Sequence, residues 1–418
     1  MEEEVLDILS SNLVTDINDY LIFKSQIEKE LLVLLIKYPK KPQLLDEVIL
    51  VIEMLNNSEP TITGLLLTKL QAIFSFIVES TSVFRPYEQN MVTNNGSNRV
   101  TWENISSKFP SSIFEEYFRF QFKDIHLLIN LLGIPDTVNY KGHVCSSLEA
   151  ILILLRRLSS QCRYSDFCVE FDLLPQFLSF IFNGLCLFLF KKIGPHIRRF
   201  NHKWLVNREK LEYWSTKLEE KGCPLNNCVG WADGTHVPVC KPSIGQRSFY
   251  DGHHKTHCFK LLVITFPSGL VLSYGPFEGS THDSRAADIV GLDILASENF
   301  TFPDGTYFTL FLDLGYRLGQ CVITPFRNRR NLSVEEQHWN RTMSRQRIAV
   351  EWSIGRIKTL FKLLNNKSQL KVLMSPVATY WFIACHLTNL HGIFYGNELS
   401  KYFDVDVEKL EDYIAEFS

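Results

Sequence analysis

The sequence predicts a mixed α/β domain set after a long helical region. Two observations carry this expectation. Up to about residue 205, apolar residues recur at helical spacing, as in Ile125, Leu128, Ile129 and Leu132. From Asn226 onward, short β-like runs alternate with turns and helices, and Pro267-Ser268-Gly269 between two apolar runs reads as a hairpin turn.

The composition sets the outer bounds. At roughly 150 residues per domain, 418 residues suggest two or three domains. Hydrophobic residues at 45% and charged residues at 21% exclude a fully disordered chain, and 31 Phe supply a large core. With 43 Lys and Arg against 46 Asp and Glu, the net charge of −3 gives no general attraction to nucleic acid, so any electrostatic argument must be local. Ten scattered Cys are too few for a disulfide scaffold, and Met1-Glu2-Glu3-Glu4 does not read as a signal peptide, so a reducing compartment is expected. The most apolar run, Phe177 to Phe190, has 14 residues and includes Ser179, Asn183 and Gly184. A span needs about 18, so a buried helix and no membrane partner are expected.

The elements follow in order. Residues 1–88 read as an acidic helical region, with fourteen Asp and Glu against eight Lys and Arg in the first hundred positions. Residues 89–101 are polar and turn-rich and read as a linker. Residues 102–205 read as helical, with helices at Ser147–Leu158, Tyr164–Phe171 and Pro175–Phe190, the last opened by a Pro suited to a first helical position. Such short helices fit either a helix-turn-helix unit or a plain bundle. The would-be recognition segment Leu174-Pro175-Gln176-Phe177-Leu178 is poor in groups that contact bases, which weakens the first alternative. Residues 206–396 form the α/β domain. Strands are expected at Val229–Asp233, Cys258–Phe266, Leu270–Tyr274, Phe308–Asp313 and Cys321–Thr324, with helices at Ser284–Leu295 and Val334–Leu364. Ser333 with Glu336 gives the long helix a capping box. Residues 397–418 form an acidic tail.

Three acidic residues stand directly against apolar stretches: Asp233 at the end of the first strand, Asp313 at the end of another, and Glu351 in the long helix. An unpaired carboxylate cannot be buried cheaply, so each is solvated, paired or metal-bound. Val350, Ile354, Ile357 and Phe361 form the core stripe of the helix, and Glu351 lies at its edge, about 100° round from Val350. Hard divalent ions take oxygen ligands, and two ions about 4 Å apart suit phosphodiester chemistry.

Four motifs occur in order: Asp233-Gly234-Thr235-His236, Gly279-Ser280-Thr281-His282-Asp283-Ser284, Asp313-Leu314-Gly315-Tyr316 with Thr324-Pro325-Phe326-Arg327-Asn328, and Val350-Glu351-Trp352-Ser353-Ile354-Gly355-Arg356-Ile357-Lys358. Asp313 follows Asp233 by 80 positions and Glu351 follows Asp313 by 38. This ordered set, over about residues 115–395, resembles the PIF/Harbinger-type transposases of the DDE superfamily of endonucleases. The resemblance implies an RNase H-like catalytic domain, a mixed sheet flanked by helices. It implies a catalytic triad of Asp233, Asp313 and Glu351 holding Mg²⁺ or Mn²⁺, with Asp283 as a further ligand. Asp283 reads equally as the N-cap of the helix that follows. The resemblance also implies DNA as substrate, a nuclear location, a separate Myb-like partner and a homo-oligomer. A domesticated, catalytically silent descendant that binds DNA or protein is the alternative.

Between Asp313 and Lys371, twelve Lys and Arg face four acidic residues. Arg327, Arg341, Arg345, Arg347 and Lys358 are the candidate phosphate contacts, which would be sequence-independent and salt-sensitive. Cys223, Cys228, Cys240, His253, His254, His257 and Cys258 crowd one region, but their spacing matches paired zinc ligands poorly.

Overall fold

The computed structural model describes residues 99–140, 143–242, 246–327, 331–372 and 374–415. The expected acidic region 1–88 and most of the linker lie outside the described residues. Helices α1 (Ile105–Lys108), α2 (Ser111–Phe118) and α3 (Ile125–Leu132) come first, then a hairpin of β1 (Thr137–Tyr140) and β2 (His143–Ser146). Helices α4 (Ser147–Ser159), α5 (Tyr164–Phe171), α6 (Pro175–Ile197) and α7 (Arg208–Glu220) follow. The hairpin was not expected from the helical spacing, and α6 runs past the expected Phe190.

The sheet is built from β3 (Cys228–Pro238), β5 (Thr256–Thr265), β6 (Val271–Glu278), β7 (Thr309–Phe311) and β8 (Val322–Ile323), in the order β6-β5-β3-β7-β8. β5 is antiparallel to both β3 and β6, whereas β7 runs parallel to β3 and β8 parallel to β7. The two-residue β4 (Tyr250–Asp251), after the short α8 (Gln246–Phe249), extends the outer end of β5. Each expected strand is present with shifted ends; β3 and β6 are longer, whereas β7 stops at Phe311 and leaves Asp313 beyond it. The expected helix from Ser284 is two helices, α9 (Asp283–Val290) and α10 (Leu292–Phe300), because Gly291 between them adopts φ 65°, a left-handed conformation that ends a helix.

Long helix α11 (Val334–Leu360) starts at the expected capping box: Ser333 Oγ accepts from the Glu336 amide at 3.2 Å, and the Glu336 carboxylate accepts from the Ser333 amide at 2.8 Å. Val350, Ile357 and Phe361 of the expected stripe are fully buried. The helix lies over β3 and β5, where Thr265 Oγ1 donates to Ser353 Oγ at 2.6 Å. Helix α12 (Val377–Tyr395) covers β6, with the Asn389 amide bonded to both backbone groups of Val271 at 2.9 Å. Helices α13 (Glu398–Phe403) and α14 (Leu410–Ile414) end the described chain.

Among the described residues, one helix, α6, is long and apolar enough to cross a membrane by length and composition. Here Leu178, Ile181, Phe182, Leu185, Leu189 and Ile193 are buried and α6 packs on α4, α5 and α12, so it serves as a core helix of a bundle. One hydrophobic cluster runs from Val100 to Tyr413, so the helical part and the sheet share a core.

Candidate active site

Asp233 lies midway along the central strand β3, opposite Val263 of β5. Its Oδ1 accepts from the Gly234 amide at 2.9 Å and its Oδ2 from Arg347 Nη1 at 2.6 Å. Arg347 stands one turn before Glu351 on α11, and its Nη2 donates to Glu351 Oε1 at 2.9 Å. One guanidinium therefore joins two of the three carboxylates expected to form a triad.

Asp283 opens α9. His282 holds the N-cap position and no side chain caps this helix, so the N-cap alternative for Asp283 does not hold. Its carboxylate lies instead on Gly234: a Cβ added there would stand 2.7 Å from Asp283 Oδ1. Only glycine beside Asp233 lets the second carboxylate approach this closely. Lys260, opposite His236 on β5, lies 3.9 Å from Asp283 Oδ1 and 3.5 Å from Asp251 Oδ2.

Asp313 is exposed in the turn after β7, where its carbonyl accepts from the Tyr316 amide at 3.1 Å. The Tyr316 ring is buried, with the Gly234 backbone beside its hydroxyl. Burial and the charges of Asp233, Asp283 and Asp313 push its pKa upward, which keeps the phenol protonated. Asp293 of α10 fixes the far end of this loop by accepting from the Gln320, Cys321 and Val322 amides at 3.1, 2.8 and 3.1 Å.

The electrostatics tie these groups together. Burial pushes Asp233 up to about 6; Arg347 and the Gly234 amide oppose this, while the charges of Asp313 and Asp283 add to it. Asp283 and Asp313 thus act on the charge of Asp233, and Glu351 is joined to it through Arg347. They do not form a ready ion cage: among the described residues, no group of three His, Cys, Asp or Glu is arranged to hold a metal ion. The donor set nonetheless fits a hard divalent cation. Every donor is a carboxylate oxygen, and the mutual repulsion felt at Asp233 is what added positive charge relieves.

The basic residues separate into two groups. Arg327, Arg341 and Arg345 are exposed, Arg327 with a 3.2 Å bond to the Tyr316 carbonyl. Arg347 is taken up by the carboxylates. Lys358, expected at the DNA, points inward and donates to Thr235 Oγ1 and the His236 carbonyl at 3.0 Å each; burial pushes it down to about 8. It braces α11 on β3 because the face it shares with Ile354 and Phe361 is turned to the sheet. The Cys/His group does not come together as one site: Cys223 neighbours Cys228, and His253 and His254 lie together elsewhere. His254 Nδ1 pairs with Asp251 Oδ2 at 2.7 Å, and Cys240 Sγ lies 3.2 Å from the Lys367 carbonyl.

Two roles were not read from the sequence: Arg347, expected at phosphate, pairs with carboxylates, and Tyr316 stood only as part of a motif. The pairing of Arg347 with Glu351 was visible as an i,i+4 spacing. The buried Tyr316 hydroxyl carried no signal beyond its place in the Asp313 motif.

A mixed sheet flanked by helices fits a DDE nuclease domain. Residues 232–389 match the family described as DDE superfamily endonuclease, a stretch that includes all four carboxylates. The match supports that superfamily and a transposase-like nuclease without singling out a type within it. Neither the curated proteins nor the solved structures include a match.

Proposed function

We propose that the chain is a divalent-metal-dependent DNA endonuclease of the PIF/Harbinger transposase type, with an RNase H-like catalytic domain over about residues 206–396. One observation carries the reading: Asp233 on the central strand and Glu351 on α11 meet on one guanidinium, although Asp233 and Arg347 are 114 positions apart. In this reading Asp233, Asp313 and Glu351 hold the ions and Asp283 is the further ligand. When bound, a pair of Mg²⁺ or Mn²⁺ ions supplies the positive charge that activates an attacking hydroxyl and stabilises the leaving oxygen. The chain's own residues do the rest. Arg327, Arg341 and Arg345 hold backbone phosphates and set the strand over the carboxylates. A 3′-hydroxyl held in the same place permits strand transfer. Work on nuclear DNA, a Myb-like targeting partner and a homo-oligomer belong to the same reading.

A second reading, a catalytically silent descendant that binds DNA or protein, draws support from Arg347, which takes the oxygens an ion needs. Nicking of supercoiled plasmid separates the two. Mg²⁺- or Mn²⁺-dependent nicking is expected, which D313N and E351Q abolish with the fold intact. Undiminished nicking by those variants rejects the triad, and no nicking by the wild type under any divalent ion favours the silent descendant.

A further inference from the structure

Arg347 occupies the place where the candidate site calls for a cation. Its two arms reach Asp233 Oδ2 at 2.6 Å and Glu351 Oε1 at 2.9 Å, tying the central strand to α11 through the very oxygens assigned to metal. The bond to Glu351 follows from helical spacing alone. The bond to Asp233 exists only in the folded chain. The arms differ in shelter: the Asp233 side chain is 20% exposed and that of Glu351 is 52% exposed. A guanidinium does not give up its proton in a protein, so Arg347 cannot make room by becoming neutral; it has to move. A divalent ion on the same oxygens faces a fixed positive charge in direct contact, in a setting where like charges are poorly screened.

We propose that Arg347 is a positioning residue that holds the metal-free carboxylates together and competes with the divalent ion, so that loading the site requires the fork to open at its exposed Glu351 arm. This rests on the metal-dependent reading above. It accounts for two facts at once. Asp233 and Glu351 are held on one guanidinium while Asp283 and Asp313 press on Asp233, yet the described residues present no ready ion cage. The same arginine that assembles the site keeps it closed to ions.

Calorimetric titration of Mn²⁺ into the full chain, without DNA, tests this on wild type, R347Q and R347K. Removing two charge-assisted bonds to the ligands lowers the Mn²⁺ Kd of R347Q by about tenfold or more. R347K lies between, because a point-charge ammonium cannot hold both carboxylates in one planar fork. The metal-free melting temperature of R347Q falls below that of wild type, and Mn²⁺ raises it by a larger increment. Should R347Q fail to fold by circular dichroism, R347K against wild type carries the comparison. A variant Kd equal to or weaker than that of a binding wild type overturns the competition alone. Absence of Mn²⁺ uptake by wild type and variants alike overturns the metal-dependent reading together with it.

Discussion

Asp233 is the residue at which the opposing demands of the site meet. Strand β3 makes it half-buried, α11 gives it a counter-charge, and Asp283 and Asp313 push against it, so its carboxyl titrates near 6 instead of near 3.8. A folded-state pKa above the unfolded value means the folded chain binds the proton more tightly. The stability it contributes is therefore present below about pH 4 and lost as pH rises through 6. In metal-free protein, D233N is expected to be more stable than wild type at pH 8, by about 1–3 kcal/mol, and no more stable at pH 4. Urea unfolding at the two pH values measures this; an equal or lower stability of D233N at pH 8 contradicts it. The sequence displayed Asp233 as a charge against an apolar stretch. It did not display its partner, because Arg347 comes into contact only through the packing of α11 on the sheet.

At the scale of the element, α11 is a helix with two kinds of cation. Its start and its buried stripe were legible, because a capping box and apolar spacing are local properties. Which cations face outward was not, because Lys358 turns inward to Thr235 and His236 on a face that the sequence also fills with charge. Substitutions separate the two kinds. K358M leaves a strand carbonyl and a hydroxyl without their donor and is expected to lower stability by about 1–3 kcal/mol. The salt dependence of DNA binding stays unchanged. R341A and R345A should leave the melting temperature nearly unchanged. Each should weaken DNA binding across sequences and reduce the slope of log K against log salt by about 1 for every phosphate no longer neutralised. Parallel melting curves and salt titrations decide it; a changed slope in K358M with an unchanged melt would reverse the assignment.

At the scale of the molecule, the sheet collects carboxylates that lie far apart in the chain. Its strands were legible as apolar runs bounded by turns, and the order of the acidic motifs suggested that they meet. The β1–β2 hairpin was not legible, since Thr137–Tyr140 and His143–Ser146 are too short to show a period of two. The break at Gly291 was missed because glycine is also tolerated inside helices, and only its positive φ decides. The shared core from Val100 to Tyr413 binds the helical part to the sheet, so a substitution in either part is felt by the same packing. In the proposed site, Asp233, Asp313 and Glu351 share divalent ions. Counting bound Mn²⁺ by electron paramagnetic resonance, on wild type and D313N, tests it most directly. Wild type is expected to take up a pair of ions per chain and D313N to lose at least one. Uptake that D313N leaves unchanged, or no uptake at all by wild type, would contradict it.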